Sequence, residues 1–350
     1  MTGFIRNMWY VAGWSSELAP GVLLPRQVVG ERLVLFRRAD GIAVALEDRC
    51  PHRMAPLSAG RLEGASLRCM YHGLQFDAAG SCIRVPGADR VPPRLKARSY
   101  PVVENSGWLW VWMGEPANAN PNATPKGWGL DSPQWHLKAG ALDYDADYQL
   151  IHDNLLDLSH LDYLHETTLG ATTGGRWSDE EPEVEFVPSG VRVKRWLRNA
   201  APPYRPDRVD THTSYQFLLP GIFLQEVKMF PCGTADRHPI GINLPEPLFV
   251  RVDQQAVTPV APGRARYLYA AGISAKFGDA GVAARMYDDV QETFMQDKTM
   301  IEAQARVIAG TDPKRRMTFI PMDKAPTMFR KVIADHLAAE AIAPATTSVG

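Results

Sequence analysis

Two short stretches, Cys50-Pro51-His52 and Cys69-Met70-Tyr71-His72, each offer one thiol and one imidazole, with sixteen residues between them. Thiolates and imidazoles delivered by two neighbouring loops are donors for a borderline or soft metal. Zinc is one reading. Zinc fingers, however, put their two cysteines together and then their two histidines, whereas here each loop carries one of each. That interleaving suits a two-iron cluster in which one iron takes the thiolates and the other the imidazoles. Neutral imidazoles in place of charged thiolates raise the reduction potential, which suits a centre fed by a stronger reductant. Pro51, Gly60, Gly73 and Gly80 favour the tight loops this needs. Two unrelated Cys/His pairs are the bland alternative. Cys82 and Cys232 have no partner nearby and read as core packing.

A second constellation sits in NLLDLSHLDYLH, Asn154 to His165, where Asp157, His160, Asp162 and His165 interrupt a run of core-seeking leucines. Two histidines and one carboxylate on one face hold an iron(II) and leave positions for O₂. His160 and His165 are the candidate imidazoles. Five residues apart, they would stand about 140° from each other on a regular helix, so the helix must distort or end between them, a π-bulge being one way. The carboxylate is sought in the periodic segment Gly281 to Ala309. Its apolar stripe runs Val282, Met286, Val290, Phe294, Ile301, Ala305 and Ile308, and Asp297 falls in the gap. A charge on a buried stripe costs several kcal/mol unless paired or metal-bound, so Asp297 is the third candidate, with a core arginine partner as the alternative. Asp157, three residues before His160, could accept from its other ring nitrogen and orient it. Asp162 reads as a solvated surface charge.

The elements that must position these groups are legible in outline. Residues 1–115 look β-rich, with the apolar runs RLVLFRR, GIAVALED and the aromatic WLWVWMG after a turn at Glu104 to Gly107. Residues 116–130 are rich in Pro, Asn and Gly and read as a linker, and 131–345 as a second domain. There, residues 140–170 look helical. Short strands follow between 183 and 277, then the long helix, and the small, polar tail 343–350 is expected to fray.

The 350-residue chain carries a net charge of −1, which excludes a basic nucleic-acid footprint. It has no apolar run long enough to span a membrane, no secretory signal is expected from MTGFIRNMWYVAGW, and four cysteines do not make a disulfide scaffold. A cytoplasmic setting is expected. Neither a dinucleotide nor a phosphate-loop fingerprint occurs, so electrons must come from elsewhere.

CPHRMAPLSAG followed by CMYHGLQFD resembles the motif of Rieske-type non-haem iron oxygenases, and the likeness runs along the whole chain. RNMWYVAGWSSEL and DNLLDLSHLDYLH bring it nearest to the vanillate O-demethylase group, which includes dicamba monooxygenase. The resemblance implies an α+β chain. A Rieske β-sandwich domain would precede a catalytic domain whose curved antiparallel sheet surrounds a long C-terminal helix. It implies a [2Fe-2S] cluster on Cys50, His52, Cys69 and His72 and a mononuclear Fe(II) on His160, His165 and Asp297. FMQDKTMIEA matches the region of the third ligand, and Asn154 a position near the iron. It gives Asp157 a larger part, bridging the iron of one subunit and a Rieske histidine, His72 or His52, of its neighbour in a homotrimer. Gln225, Gln255 and Asp288 match positions that face substrate, and Arg251 could neutralise a substrate carboxylate; each is an ordinary strand or surface residue otherwise. The implied activity is that of the terminal oxygenase of a two-component monooxygenase. It would remove a methyl group from a methoxylated aromatic acid such as vanillate, using O₂ and a separate NAD(P)H-dependent flavin and ferredoxin reductase. Ring or methyl hydroxylation of another aromatic acid or arylsulfonate, a Rieske electron carrier and a zinc module are the competing readings.

Overall fold

The computed structural model describes residues 3–168, 177–202, 207–239 and 241–342; the tail expected to fray lies outside them. The chain divides into two compact units, Met1–Lys126 with Thr258–Pro262, and Gly127–Val257 with Gly263–Gly350.

The first unit is three small antiparallel sheets. In chain order its strands are β1 (Trp9–Trp14), β2 (Leu24–Val28), β3 (Glu31–Arg37), β4 (Ala43–Glu47), β5 (Arg61–Glu63) and β6 (Ser66–Arg68). Then come β7 (Gln75–Phe76), β8 (Cys82–Arg84), β9 (Ser99–Tyr100), β10 (Val102–Asn105) and β11 (Trp108–Trp112). The sheet orders are β1-β11-β10, β2-β3-β4-β9 and β5-β6-β7-β8. The run Leu33 to Phe36 is apolar at every position because β3 serves two cores. Successive strand residues point to opposite faces. Leu33 and Leu35 join Tyr10, Leu109 and Val111, while Val34 and Phe36 join Leu67, Phe76 and the cysteines Cys50, Cys69 and Cys82. Each such burial removes a large side chain from water and contributes about 1.5–3 kcal/mol. The turn expected before β11 is present, with φ of 53° at Ser106 and 83° at Gly107, the pair of positive angles of a type I′ hairpin.

The second unit is built on a seven-stranded antiparallel sheet of order β12-β18-β17-β16-β15-β14-β13. Its elements run β12 (Trp135–Tyr144), α1 (Tyr148–Leu156), β13 (Glu183–Val187), β14 (Gly190–Ala200), β15 (Val209–Leu218) and β16 (Ile222–Pro231). After these come α2 (Thr234–Arg237), β17 (Phe249–Ala261), β18 (Arg264–Ser274), α3 (Ala280–Ala309) and α4 (Lys324–Ile342). The α3 helix packs against β12 and β18, and α4 against β13 and β14. This is the α+β arrangement of a β-rich domain followed by a large antiparallel sheet with a long C-terminal helix.

Several details differ from the sequence expectation. Among the described residues of the segment 140–170, Tyr148–Leu156 alone is α-helical, and 140–144 belong to β12. Gly140 sits there since a Cβ would come within 2.4 Å of the Tyr287 hydroxyl and 2.6 Å of Tyr269. The α3 stripe is buried from Ala283 to Ile301 only, and Ile308 is 45% exposed, since the helix outruns the sheet it packs on. Helix α4 has no counterpart in the sequence expectation. Cys82 is buried, but Cys232 is exposed, at the end of β16 rather than in a core.

Candidate functional site

In the first unit, the loops after β4 and between β6 and β7 fold alike. Each cysteine amide donates to the carbonyl five residues on, Cys50 to Ala55 and Cys69 to Leu74, both at 2.8 Å. The residue four on donates back to the cysteine carbonyl, Met54 to Cys50 at 2.9 Å and Gly73 to Cys69 at 3.0 Å. Both closing residues lie in the left-handed region, φ 60° at Met54 and 76° at Gly73. The buried Asp48 braces the first loop, accepting from the Ser58 amide at 2.6 Å and hydroxyl at 2.8 Å. Cys50 and Cys69 are buried side by side, and the His52 and His72 rings meet at the surface with centroids 4.5 Å apart. Burial, opposed by the His52 and Arg53 amides and aided by Cys69, pushes the Cys50 thiol up to about 11. A cluster iron fits here, because it would hold both sulfurs as thiolates while two exposed imidazoles take the outer iron.

In the second unit, α1 ends at Leu156, and Asp157 turns extended with φ −114° and ψ 99°. The next five residues, Leu158–Asp162, form a 3₁₀ turn capped by the Asp157 carboxylate, which accepts from the Ser159 amide at 2.9 Å. The helix therefore breaks before His160, by a cap and a 3₁₀ turn rather than a π-bulge. The His160 Nδ1 lies 2.5 Å from the Asp157 main-chain oxygen, so the peptide carbonyl orients the ring, not the carboxylate expected to do so. The His165 Nδ1 lies 2.8 Å from Gln296 Oε1, which also accepts from Thr168 at 3.1 Å. Both acceptors take an N–H, which fixes each ring with its Nε2 turned toward the third donor, where a bound metal would take the place of a proton. Those two nitrogens face Asp297 Oδ1 at 3.4 Å and 3.1 Å, and Asn154 Nδ2 donates to the same oxygen at 2.9 Å. The three donor atoms lie within 4.8 Å of one another. Burial raises the Asp297 carboxyl, but the two histidines outweigh it and bring it down to about 2. Burial likewise lowers His160, and Asp297 more than reverses that, raising it above its ordinary value. A charged carboxylate and two oriented imidazoles on one face fit a divalent iron with open positions.

The trio opens on a cavity of about 330 Å³ whose walls come from α1, β14, β15, β16, β17 and α3. Register explains the lining: Phe223 pairs with Gln255, Gln225 with Asp253, and Val227 with Arg251, so alternate residues of β16 and β17 share one face. Gln225, Gln255 and Arg251 all reach the cavity, with Gln255 accepting from the Tyr267 hydroxyl at 2.8 Å. Asp288 does not. Nine residues before Asp297, it lies about 180° around the helix, where it is exposed and pairs with Lys138 at 3.6 Å. Asp162 is not a solvated charge either. It accepts from the amides of Trp177 and Ser178 at 3.0 Å and 2.7 Å, and the buried Arg195 donates to the Trp177 carbonyl at 2.8 Å. Gln296, Asp162 and Arg195 escaped sequence reasoning because none stands at a diagnostic spacing; Gln296 had only its place beside Asp297 as a clue.

Residues 8–101 match the Rieske [2Fe-2S] domain and residues 144–339 the vanillate O-demethylase oxygenase C-terminal domain. The chain is 36% identical over 330 residues to the iron-sulfur subunit of the toluene-4-sulfonate monooxygenase system of Comamonas testosteroni, covering 91% of this chain and 93% of the relative. It is 36% identical over 248 residues to the oxygenase component of dicamba O-demethylase of Stenotrophomonas maltophilia, 68% and 71% of the two chains. Dicamba monooxygenase bound to 3,6-dichlorosalicylic acid superposes with a TM-score of 0.88 at 28% identity, over 97% of this chain and 100% of that one. The chain belongs to the vanillate O-demethylase oxygenase family and is the oxygenase component of a Rieske non-haem iron monooxygenase.

Proposed function

We propose that this oxygenase component oxidises a methyl carbon on an aromatic acid, and that the three donors His160, His165 and Asp297 hold the iron beside which that carbon is bound. The observation that carries the reading is the convergence of these donors, from segments far apart in sequence, on the wall of a mostly apolar cavity. Iron held there supplies O₂ activation, with electrons from the cluster held by Cys50, His52, Cys69 and His72. Asn154 and Gln296 keep Asp297 and His165 aimed, and the leucines and phenylalanines of the cavity exclude water from the ring. With a methoxylated acid such as vanillate, the hydroxylated methyl is a hemiacetal that leaves as formaldehyde and frees a phenol. The balance is one O₂, two electrons and two protons in, one water out. A second reading, hydroxylation of a ring-bound methyl on an arylsulfonate, is favoured by the likeness to the toluene-4-sulfonate system across nearly the whole chain.

Asp157 serves the reading as a bridge to His72 or His52 of a neighbouring chain in a homotrimer. The partner is an NAD(P)H-dependent flavin and ferredoxin reductase, and the setting is the cytoplasm. Among the described residues no helix is long and apolar enough to cross a membrane. We take 1–115 as the cluster domain, 116–130 as the connection and 131–345 as the catalytic domain. The test is turnover with a surrogate reductase against vanillate, other methoxybenzoates, toluene-4-sulfonate and plain benzoates. Formaldehyde marks demethylation, a benzylic alcohol marks methyl hydroxylation, and a diol marks ring attack. His160→Ala should abolish every product while the red-brown cluster spectrum persists, and surviving activity would sink the reading.

A further inference from the structure

Beyond the metal trio, the cavity holds a charged device. Arg251 lines it from β17, and its Nη2 donates to Asp253 at 2.9 Å. Asp253 is wholly buried, and its other carboxylate oxygen has no partner among the described residues, so it serves to hold the guanidinium. The Arg251 side chain is 17% exposed, and its Nη1 has no acceptor among the described residues. A guanidinium with one side fixed and the other without an acceptor costs free energy until an acceptor arrives.

Its place along the cavity is defined by its neighbours. Phe249, two residues away on the same face, packs with Phe277, and with Met286 and Val282 of α3. Gln255, at the other end of the same row, bonds Tyr267, whose ring packs on Phe294, three residues from Asp297. From Met286 to Asp297 is eleven residues, about 16 Å of helix. Arg251 is thus displaced from the trio along the cavity. Arg285, exposed and with the solvated Asp279 nearby, also lines the cavity.

We propose that Arg251, fixed by Asp253, binds the anionic headgroup of the substrate, a sulfonate or carboxylate, and so turns the far end of its ring toward His160, His165 and Asp297. The planar fork of arginine matches either anion through paired charge-assisted hydrogen bonds. Gln225 and Gln255 can add neutral donors but no charge. The substrate class is then an amphiphilic aromatic monoanion, and uncharged analogues of the same shape bind poorly. Asp253 is a positioning residue, acting through Arg251. This assignment rests on the oxygenase reading above for the identity of the ring.

The test is calorimetric titration of the cluster- and iron-loaded protein with toluene-4-sulfonate, 4-methylbenzoate and the neutral toluene-4-sulfonamide. Both anions should bind at least tenfold more tightly than the sulfonamide, and the tighter of the two names the headgroup. Arg251→Met should erase that preference while leaving sulfonamide binding within about threefold, as expected when one charge-assisted contact is lost. Arg251→Lys should restore part of it, and Asp253→Asn should weaken it by loosening the guanidinium. An unaltered protein without anion preference, or an Arg251→Met protein that keeps it, overturns the assignment. Turnover of the same samples separates the two proposals. Anion preference lost in Arg251→Met, with no oxidised product from the unaltered protein on these acids or on vanillate, overturns the methyl-oxidation reading and leaves the arginine assignment standing. Oxidised product with the preference intact in Arg251→Met does the reverse.

Discussion

Gln296 shows how much a single acceptor decides. By taking the Nδ1 proton of His165, it leaves Nε2 facing Asp297 and sets which ring nitrogen is offered to a metal. Loss of such an orienting partner typically weakens metal binding 10- to 100-fold. Gln296→Leu should therefore shed iron on dialysis against a weak chelator while its cluster absorbance stays unchanged. His152 makes a different point. It is buried against Tyr148, Phe217 and Phe329, and neither ring nitrogen has a partner among the described residues. Burial pushes it down to about 3. Below pH 6.5 the unfolded chain takes up a proton that the folded chain refuses, so stability is lost as pH falls from about 6.5 toward 3. Between pH 7 and pH 5 that amounts to about 2 kcal/mol. His152→Phe should flatten this limb, measured as the change in denaturation midpoint between the two pH values.

At the scale of elements, the two cysteine loops share one hydrogen-bond pattern but not one residue at the closing position. Gly73 meets a positive φ without strain, whereas Met54 holds a β-carbon there at a cost of about 1 kcal/mol. A Cβ on Gly73 would also lie 2.9 Å from Pro86 Cγ. Gly73→Ala should lower the melting temperature of the cluster chromophore, and Met54→Gly should leave it equal or higher. The helix that carries Asp297 illustrates the same level. Its periodicity exposed a polar residue on a buried stripe, and the stripe is real from Ala283 to Ile301. The same helical arithmetic places Asp288 on the side of α3 opposite Asp297, away from the substrate face.

At the scale of the whole molecule, the four cluster donors fall in one unit and the three iron donors in the other. The proposed passage of electrons between chains of a trimer makes Asp157 answerable to an experiment on assemblies. Asp157→Asn should retain cluster and iron while slowing reoxidation of the reduced cluster by O₂ and substrate at least tenfold. Co-assembly of His160→Ala chains with Cys50→Ser chains should regain turnover that neither shows alone. Failure to regain it in verified mixed assemblies would remove the inter-chain route.

Much of the chemistry was written locally. The cluster donors lie within twenty-three residues and the histidine pair within six, and short spacing constrains what a chain can bring together. Asp297 was legible because a charge on an amphipathic stripe is physically conspicuous. The strand β12 was not: Trp135, Leu137, Ala139 and Ala141 alternate with His136, Lys138 and Gly140, but the run holds no β-branched residue and is broken by Gly140 and Asp143. Nor were Gln296, Arg195, the hydrogen-bonded part of Asp162, or Asp253 as the partner of Arg251. Their roles come from hydrogen bonds and registers that join segments up to about 130 residues apart, as Gln296 is from His165. Residue types and spacing thus determined which metals this protein could hold. Only the tertiary structure decided which atoms orient the ligands, which face of each strand meets the cavity, and where a charge waits inside it. Such pairings depend on how the sheet and helices pack, which no local pattern encodes.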